Sequence, residues 1–300
     1  MRRLRPILLG FLLLLPAAQA SARRCGDDVD GRAVACDCGD LLVSSRTLGD
    51  EDPITTGPCP GSGLLVDVPP GRPAATLALG GHVLAGSGRG IGIQVLGGGT
   101  GGISIVGPGA VRGFGTGILA ATGGLATLSD VTAAENAADG FVATGEGYAV
   151  TGCEALRNRR DGFALRGTGY RAEGNRALEN ARYGFAFAGR DGAIGATLGN
   201  EAAGNGRDGL RVRGRRHDVR NPVATANGRS GISARLSSGR ITGATAASNR
   251  GRGIRAVGAD LTVAGSEARA NGGGIDARGA RVRDGGGNRA EDCRVGAPCR

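Results

Sequence analysis

Through the second half of the chain an Asn stands just ahead of a Gly that is followed by an apolar residue. Asn136, Asn158, Asn180, Asn205, Asn227 and Asn249 lie four residues before Gly140, Gly162, Gly184, Gly209, Gly231 and Gly253, and Asn271 lies three before Gly274. With Gly117 heading the series, the glycines are 23, 22, 22, 25, 22, 22 and 21 residues apart. One match among 60 glycines would carry no weight, but seven consecutive pairs at near-constant spacing define a repeat. A fixed period of this length marks an array of stacked supersecondary units.

Within a unit, polarity alternates after the Gly, as in Phe163-Ala164-Leu165-Arg166 and Leu210-Arg211-Val212-Arg213. Alternation with period two is a strand with one buried face. A second short run follows a Gly-rich turn (YRAEG, LTVAG), and a third leads into the Asn (RALEN, TAASN). The helical apolar period is missing throughout the repeats. Three short strands and three turns in about 22 residues make one coil of a parallel β-helix, an all-β fold. Hexapeptide periodicity, the mark of the left-handed type, is absent, so the right-handed form is expected. Stacked coils repeat every ~4.8 Å. An Asn at the same turn of each coil can then bond the Asn above and below and satisfy turn backbone groups. The Gly serves either a positive φ or a close backbone approach, and the apolar residue after it points inward. The motif therefore reads as scaffold. Collagen's Gly at every third position is missing, and with 3% aromatics the core must be a narrow column of aliphatic residues and a few Phe.

The termini are different in kind. Residues 1–20, MRRLRPILLGFLLLLPAAQA, have a basic start, a short apolar run and a small-residue site at Ala18-Gln19-Ala20. They read as a secretory signal peptide, too short to span a membrane. Its removal takes three Arg and no acid, lowering the net charge from +10 to +7. Residues 21–62 read as a Cys-rich N-terminal cap, 63–287 as the β-helix and 288–300 as a C-terminal cap. Cys25, Cys36, Cys38 and Cys59 precede the coils and Cys293 and Cys299 follow them, as expected of disulfides closing the ends of an exported solenoid. Four N-terminal cysteines allow three pairings, while Cys293 with Cys299 is the natural C-terminal bridge. Zinc at Cys36-x-Cys38 is disfavoured because no His is near. Cys153 takes the slot held by Asn175 and Asn200 in later coils and is expected to be a buried thiol at an inward turn.

The stretch LALGGHVLAGSGRGIGI, with Cys-Asp-Cys-Gly-Asp ahead of it and Asn-plus-Gly-Ile coils behind it, resembles secreted bacterial right-handed β-helix proteins of the pectin lyase-like superfamily over roughly residues 36–292. The resemblance implies the fold; its members include pectate lyases, polygalacturonases, uronan epimerases and proteins without an assigned reaction. Fold alone does not imply function.

Residue by residue, those chemistries find little support. Glycoside hydrolysis needs paired carboxylates at set spacing. Asp139 and Asp161 should stack on adjacent coils, where carboxylates can share a proton or hold Ca²⁺, but Tyr183, Ser230 and Arg252 occupy the same column and Asp before Gly is ordinary turn chemistry. His82 and His217 lie several coils apart, and neither a metal nor a cofactor is expected. The outward positions of the strand after each Gly are more informative. They carry Arg211 and Arg255 at the second place and Arg166, Arg213, Arg235 and Arg278 at the fourth, with Asp276 near Arg255. The chain has no Lys, so every basic side chain is a guanidinium, suited to bidentate contact with carboxylate or sulfate. Arg211, Arg213, Arg235 and Arg255 are the candidate ligand residues, and an anionic polysaccharide the candidate partner. Nucleic acid is disfavoured by export and by scarce aromatics for base stacking. A monomer is expected. Two functions remain: a non-catalytic exported binder of acidic polysaccharide or a surface or matrix component, and a polysaccharide lyase in which Arg211 or Arg213 removes the proton.

Overall fold

The structure is a computed structural model that describes residues 22–299 except 70, 99–100 and 121–123; the signal segment 1–20 lies outside the described residues. The chain winds as a right-handed parallel β-solenoid of about 11 turns and ~22 residues per coil. Among the described residues, one sheet of 15 strands runs the length of the molecule. It includes Phe141–Glu146, Phe163–Thr168, Phe185–Arg190, Leu210–Arg215, Ile232–Ser237, Arg252–Ala259 and Gly273–Arg278, each parallel to the next.

Register within this sheet is what makes the repeat legible. Phe141, Phe163, Phe185, Leu210, Ile232, Ile254 and Ile275 pair in one continuous row. All seven are at most 1% exposed. The Phe163 ring stacks on Phe141 at 4.7 Å and on Phe185 at 4.8 Å, so the coil rise matches the stacking distance of the rings. Burying such a side chain contributes about 1.5–3 kcal/mol, and each coil gains this only against its neighbours.

Two further parallel ladders complete the coil. They are built from short strands such as Ala149–Thr151 on Arg171–Glu173, and Glu154–Leu156 on Arg176–Leu178. Ile103–Arg112 and Leu125–Ala134 run through the bend between these ladders and take part in both.

At the turn before the long sheet the seven Asn form a hydrogen-bonded column. The Oδ1 of Asn180 accepts from the backbone N–H of Asn158 at 3.0 Å and from its Nδ2 at 2.9 Å. In turn Asn180 Nδ2 donates to Asn205 Oδ1 and to the carbonyl of Ala155, both at 3.0 Å. The pattern runs from Phe114, whose N–H meets Asn136 Oδ1, to Asn271. The Gly four residues later has no left-handed backbone; it is there for space. A Cβ on Gly162 would sit 2.8 Å from Asn180 Nδ2 and 2.7 Å from the Gly184 carbonyl. Of the two roles expected for this Gly, close approach holds and positive φ does not. Positive φ falls instead on the residue before each Asn, including Arg157 at 51°, Glu179 at 55° and Ala226 at 53°.

A second, partial column stands at the next turn. Cys153 N–H donates to Asn175 Oδ1, Asn175 N–H to Asn200 Oδ1, Ala244 N–H to Ser266 Oγ, and Ser266 N–H to Asn288 Oδ1. Between them Pro222 carries no N–H, and the next coil offers Ala244, which has no acceptor. At that step donor and acceptor are deleted together, whereas one coil earlier Asn200 keeps its N–H and Pro222 supplies no side-chain acceptor. The Cys153 thiol is fully buried, and desolvation pushes it up to about 12.

The ends reverse strand direction. Arg24–Val29 pairs antiparallel with Arg32–Val34, and Cys293–Val295 antiparallel with Ala297–Pro298. Disulfides Cys25–Cys36 and Cys38–Cys59 close the N-terminal cap and Cys293–Cys299 the C-terminal one.

Candidate anion-binding face

The outward side of the long sheet carries two columns of side chains. The second-position column reads Val142, Ala164, Ala186, Arg211, Ser233, Arg255, Asp276; the fourth-position column reads Thr144, Arg166, Ala188, Arg213, Arg235, Val257, Arg278. Apart from Thr144 and Arg166 the face is therefore small and apolar over the coils at 141–190, and it becomes densely basic at Leu210–Arg215. Arg213 and Arg235 are register partners, one coil apart, and Ser233 lies between Arg211 below and Arg255 above.

These side chains converge. A shallow, almost entirely polar cleft of about 220 Å³ is lined by Arg211, Arg213, Arg229, Arg235, Arg255, Ser233, Asp208 and Tyr183. Arg166 stands farther along the face, beyond an Ala186–Ala188 floor that reaches Arg211 and Arg213. Arg278 is committed elsewhere: its Nε donates to Asp276 at 2.6 Å. Arg252 also approaches Asp276, at 3.6 Å. Among the described residues none of Arg211, Arg213, Arg229, Arg235 or Arg255 forms a salt bridge, although Arg residues elsewhere commonly do, such as Arg216 with Asp191 and Arg220 with Asp218.

Two groups temper the charge. Burial raises the Asp208 carboxyl, opposed by the Ser230 N–H it accepts and by Arg229, Arg211 and Arg255. Tyr183, 6% exposed, presents its ring to three guanidiniums, with Arg211 nearest at 4.7 Å, Arg182 at 5.5 Å and Arg207 at 5.7 Å. Cation–π contact of this kind holds a guanidinium over the ring face and does not use up its N–H donors, which can still meet an anion. Sequence reading missed Arg229 and Tyr183 as neighbours of the Arg face. Both sit in the turns before the strand, and only the observation that they precede Gly231 and Gly184 could have placed them there.

The other candidates disperse. Asp139 and Asp161 do stack, but as turn acceptors: Asp139 Oδ1 takes the Asp161 N–H at 2.9 Å and Asp161 Oδ1 the Tyr183 N–H at 3.3 Å. Burial raises the Asp161 carboxyl, with Arg182 opposing the shift. His82 is far from His217, which is buried in a column with Tyr148 and Tyr170, its ring 5.9 Å from that of Tyr170. His217 Nδ1 accepts from Gly192 N–H at 3.1 Å and Nε2 faces the Arg213 carbonyl at 3.1 Å, which fixes the proton on Nε2. Burial lowers its pKa, keeping it neutral.

Charge is also distributed unevenly along the axis. Residues 22–69 hold four Arg against nine Asp and Glu, a net −5, whereas 205–299 hold eighteen Arg against eight, a net +10. The cleft lies in the basic half.

A family model described as "Periplasmic copper-binding protein (NosD)" matches residues 117–288, the span of the Asn-bearing coils. The chain belongs to this family. Membership and the three disulfides fit a periplasmic or secreted protein, and among the described residues no helix is long and apolar enough to cross a membrane. A search of curated proteins found no match. Among solved structures, this NosD-family chain is similar to the A-module of mannuronan C-5 epimerase AlgE6 of Azotobacter vinelandii, at 19% identity and TM-score 0.47, over 77% of this chain and 67% of that one. It is also similar to the Dettilon tailspike protein, at 17% identity and TM-score 0.44, over 76% of this chain and 46% of that one. With TM-scores below 0.5, neither likeness bears on what this chain binds.

Proposed function

We propose that this exported β-helix is a non-catalytic binder of acidic polysaccharide, and that Arg211, Arg213, Arg235 and Arg255 form the contact face. The observation that carries the reading is one polar cleft lined by five guanidiniums, four from the outward face of the long sheet and Arg229 from a turn, none of which forms a salt bridge among the described residues. Holding like charges together without counter-ions costs self-repulsion, and an anionic ligand relieves it. The lyase reading has less support. A guanidinium is protonated at any accessible pH, and the cleft's one carboxylate, Asp208, already accepts a backbone N–H.

The family's description names copper, and the side chains present do not fit it. Copper sites use thiolate, thioether or imidazole donors. Six cysteines are in disulfides and Cys153 is buried and alone, both nitrogens of His217 are engaged within the protein, and His82, the other imidazole, has the Asp50 carboxylate beside it at 3.9 Å and, among the described residues, no second His or Cys. Among the described residues no three His, Cys, Asp or Glu gather as a metal site would need.

The test is binding of a polyuronate and of a neutral glucan to the native protein and to Arg211→Glu/Arg235→Glu. The polyuronate should bind, lose affinity in the variant and weaken as salt rises, with the glucan at background. Equal, negligible binding of both polymers by the native protein would refute the reading.

A further inference from the structure

The cleft's geometry is more selective than its charge. Ser233 occupies the middle of the floor, with Arg211 one coil below and Arg255 one coil above, about 4.8 Å each way. Arg235 stands two residues along the same strand with Arg213 as its register partner, and Arg229 lines the cleft from the turn. Guanidiniums thus flank the Ser233 hydroxyl from three sides: both directions of the helix axis, and along the strand. That hydroxyl has no hydrogen bond to the protein among the described residues and can add a donor of its own.

A carboxylate offers two oxygens in a plane and one charge, which a single Arg satisfies bidentately. A phosphate monoester offers three oxygens pointing to different sides and close to two charges at neutral pH. Five guanidiniums against one carboxylate leave the cleft a nominal +4. The guanidiniums converge on one shallow cleft of about 220 Å³, so a ligand group bearing nearly two charges offsets more of that excess at one point than a singly charged carboxylate does. Resting on the polysaccharide reading above, we propose that the Ser233 cleft selects phosphate monoesters carried on a glycan over carboxylates.

Three dextrans of equal chain length separate the possibilities: phosphorylated, carboxymethylated to the same number of groups, and unmodified. Binding is followed by calorimetry at fixed ionic strength. The phosphorylated polymer should bind about tenfold or more tighter than the carboxymethylated one, a difference of about 1.4 kcal/mol. Ser233→Asp should erase that preference without lowering the melting temperature, whereas Arg240→Glu, on another ladder, should leave it. Equal affinity for the two charged polymers overturns the phosphate inference and leaves the acidic-polysaccharide reading standing. Failure of both to exceed unmodified dextran removes that reading as well. Capture by vesicles containing phosphatidic acid, whose headgroup is a phosphate monoester, with no binding of phosphorylated dextran, would also overturn the inference by assigning the phosphate to a lipid headgroup.

Discussion

Replacing Asn180 by Ala removes a side chain from the middle of the Asn column. Four hydrogen bonds go with it: two donated to its Oδ1 by Asn158, and two from its Nδ2 to Asn205 and Ala155. The Asn158 side chain keeps its bond to the Ala133 carbonyl, and Asn205 Oδ1 keeps the Asn180 N–H. What is left stranded is the buried N–H of Asn158, together with the loss of a donor from the Ala155 carbonyl. An unsatisfied buried group costs about 1–3 kcal/mol, so the two together should cost about 3 kcal/mol, some two decades in an equilibrium constant. Because coils contact only their neighbours, the penalty is local. Hydrogen exchange at Asn158 and its neighbours should accelerate by about a hundredfold, with much less change near the caps, and urea unfolding should shift to lower concentration. The same change at Asn271, a half-buried column end that water can reach, should cost less. Unchanged exchange at Asn158, or equal costs at both positions, would refute the account of the column as a chain of buried, mutually dependent bonds.

Ala226 sits at φ 53°, where an L side chain costs about 1–2 kcal/mol, so Ala226→Gly should stabilise by up to about 1 kcal/mol in thermal unfolding once the flexibility of Gly in the unfolded chain is allowed for. Burial raises Asp161 above its unfolded value, so its contribution to stability is greatest below the unfolded pKa and is lost as pH rises through the folded one; Asp161→Asn, which keeps an acceptor for Tyr183 N–H, should flatten that part of the stability-versus-pH curve, and an unchanged curve would count against it. Asp208→Asn removes the cleft's carboxylate and should tighten polyanion binding a few-fold at low salt, an effect lost at high salt. Cys153, its thiol pushed up to about 12, should resist a thiol reagent at pH 8 until the protein unfolds. Competition against a copper chelator should show no stoichiometric copper on the native protein.

The fold was legible in the sequence because a solenoid converts sequence period into spatial adjacency. Phe141, Phe163 and Phe185 touch because they are 22 residues apart, and the Asn column follows from the same rule. The period also placed Arg213 against Arg235. It could not reveal features made at the turns, where backbone path decides which side chains meet. Tyr183 meets Arg207 and Arg211 because the turn folds it against the next coil. The positive φ belongs to Glu179 and its equivalents, a varied set of residue types without a shared signature. His217 joins Tyr148 and Tyr170 across Gly192, which breaks the column for a reader counting side chains.

The antiparallel hairpins at either end have a consequence for size. Inside the body every coil presents its successor with the edge it received from its predecessor, so nothing in the repeat dictates when to stop. An uncovered final coil would be an invitation to a second molecule to continue the stack. By turning the chain back on itself at Ala297–Pro298 and Arg32–Val34, and pinning each return with a disulfide, the protein punctuates an otherwise open-ended sentence. Rod length is consequently a heritable variable set by how many 22-residue units lie between two fixed stops, and insertion or loss of one unit would lengthen or shorten the rod by about 4.8 Å without redesigning either end.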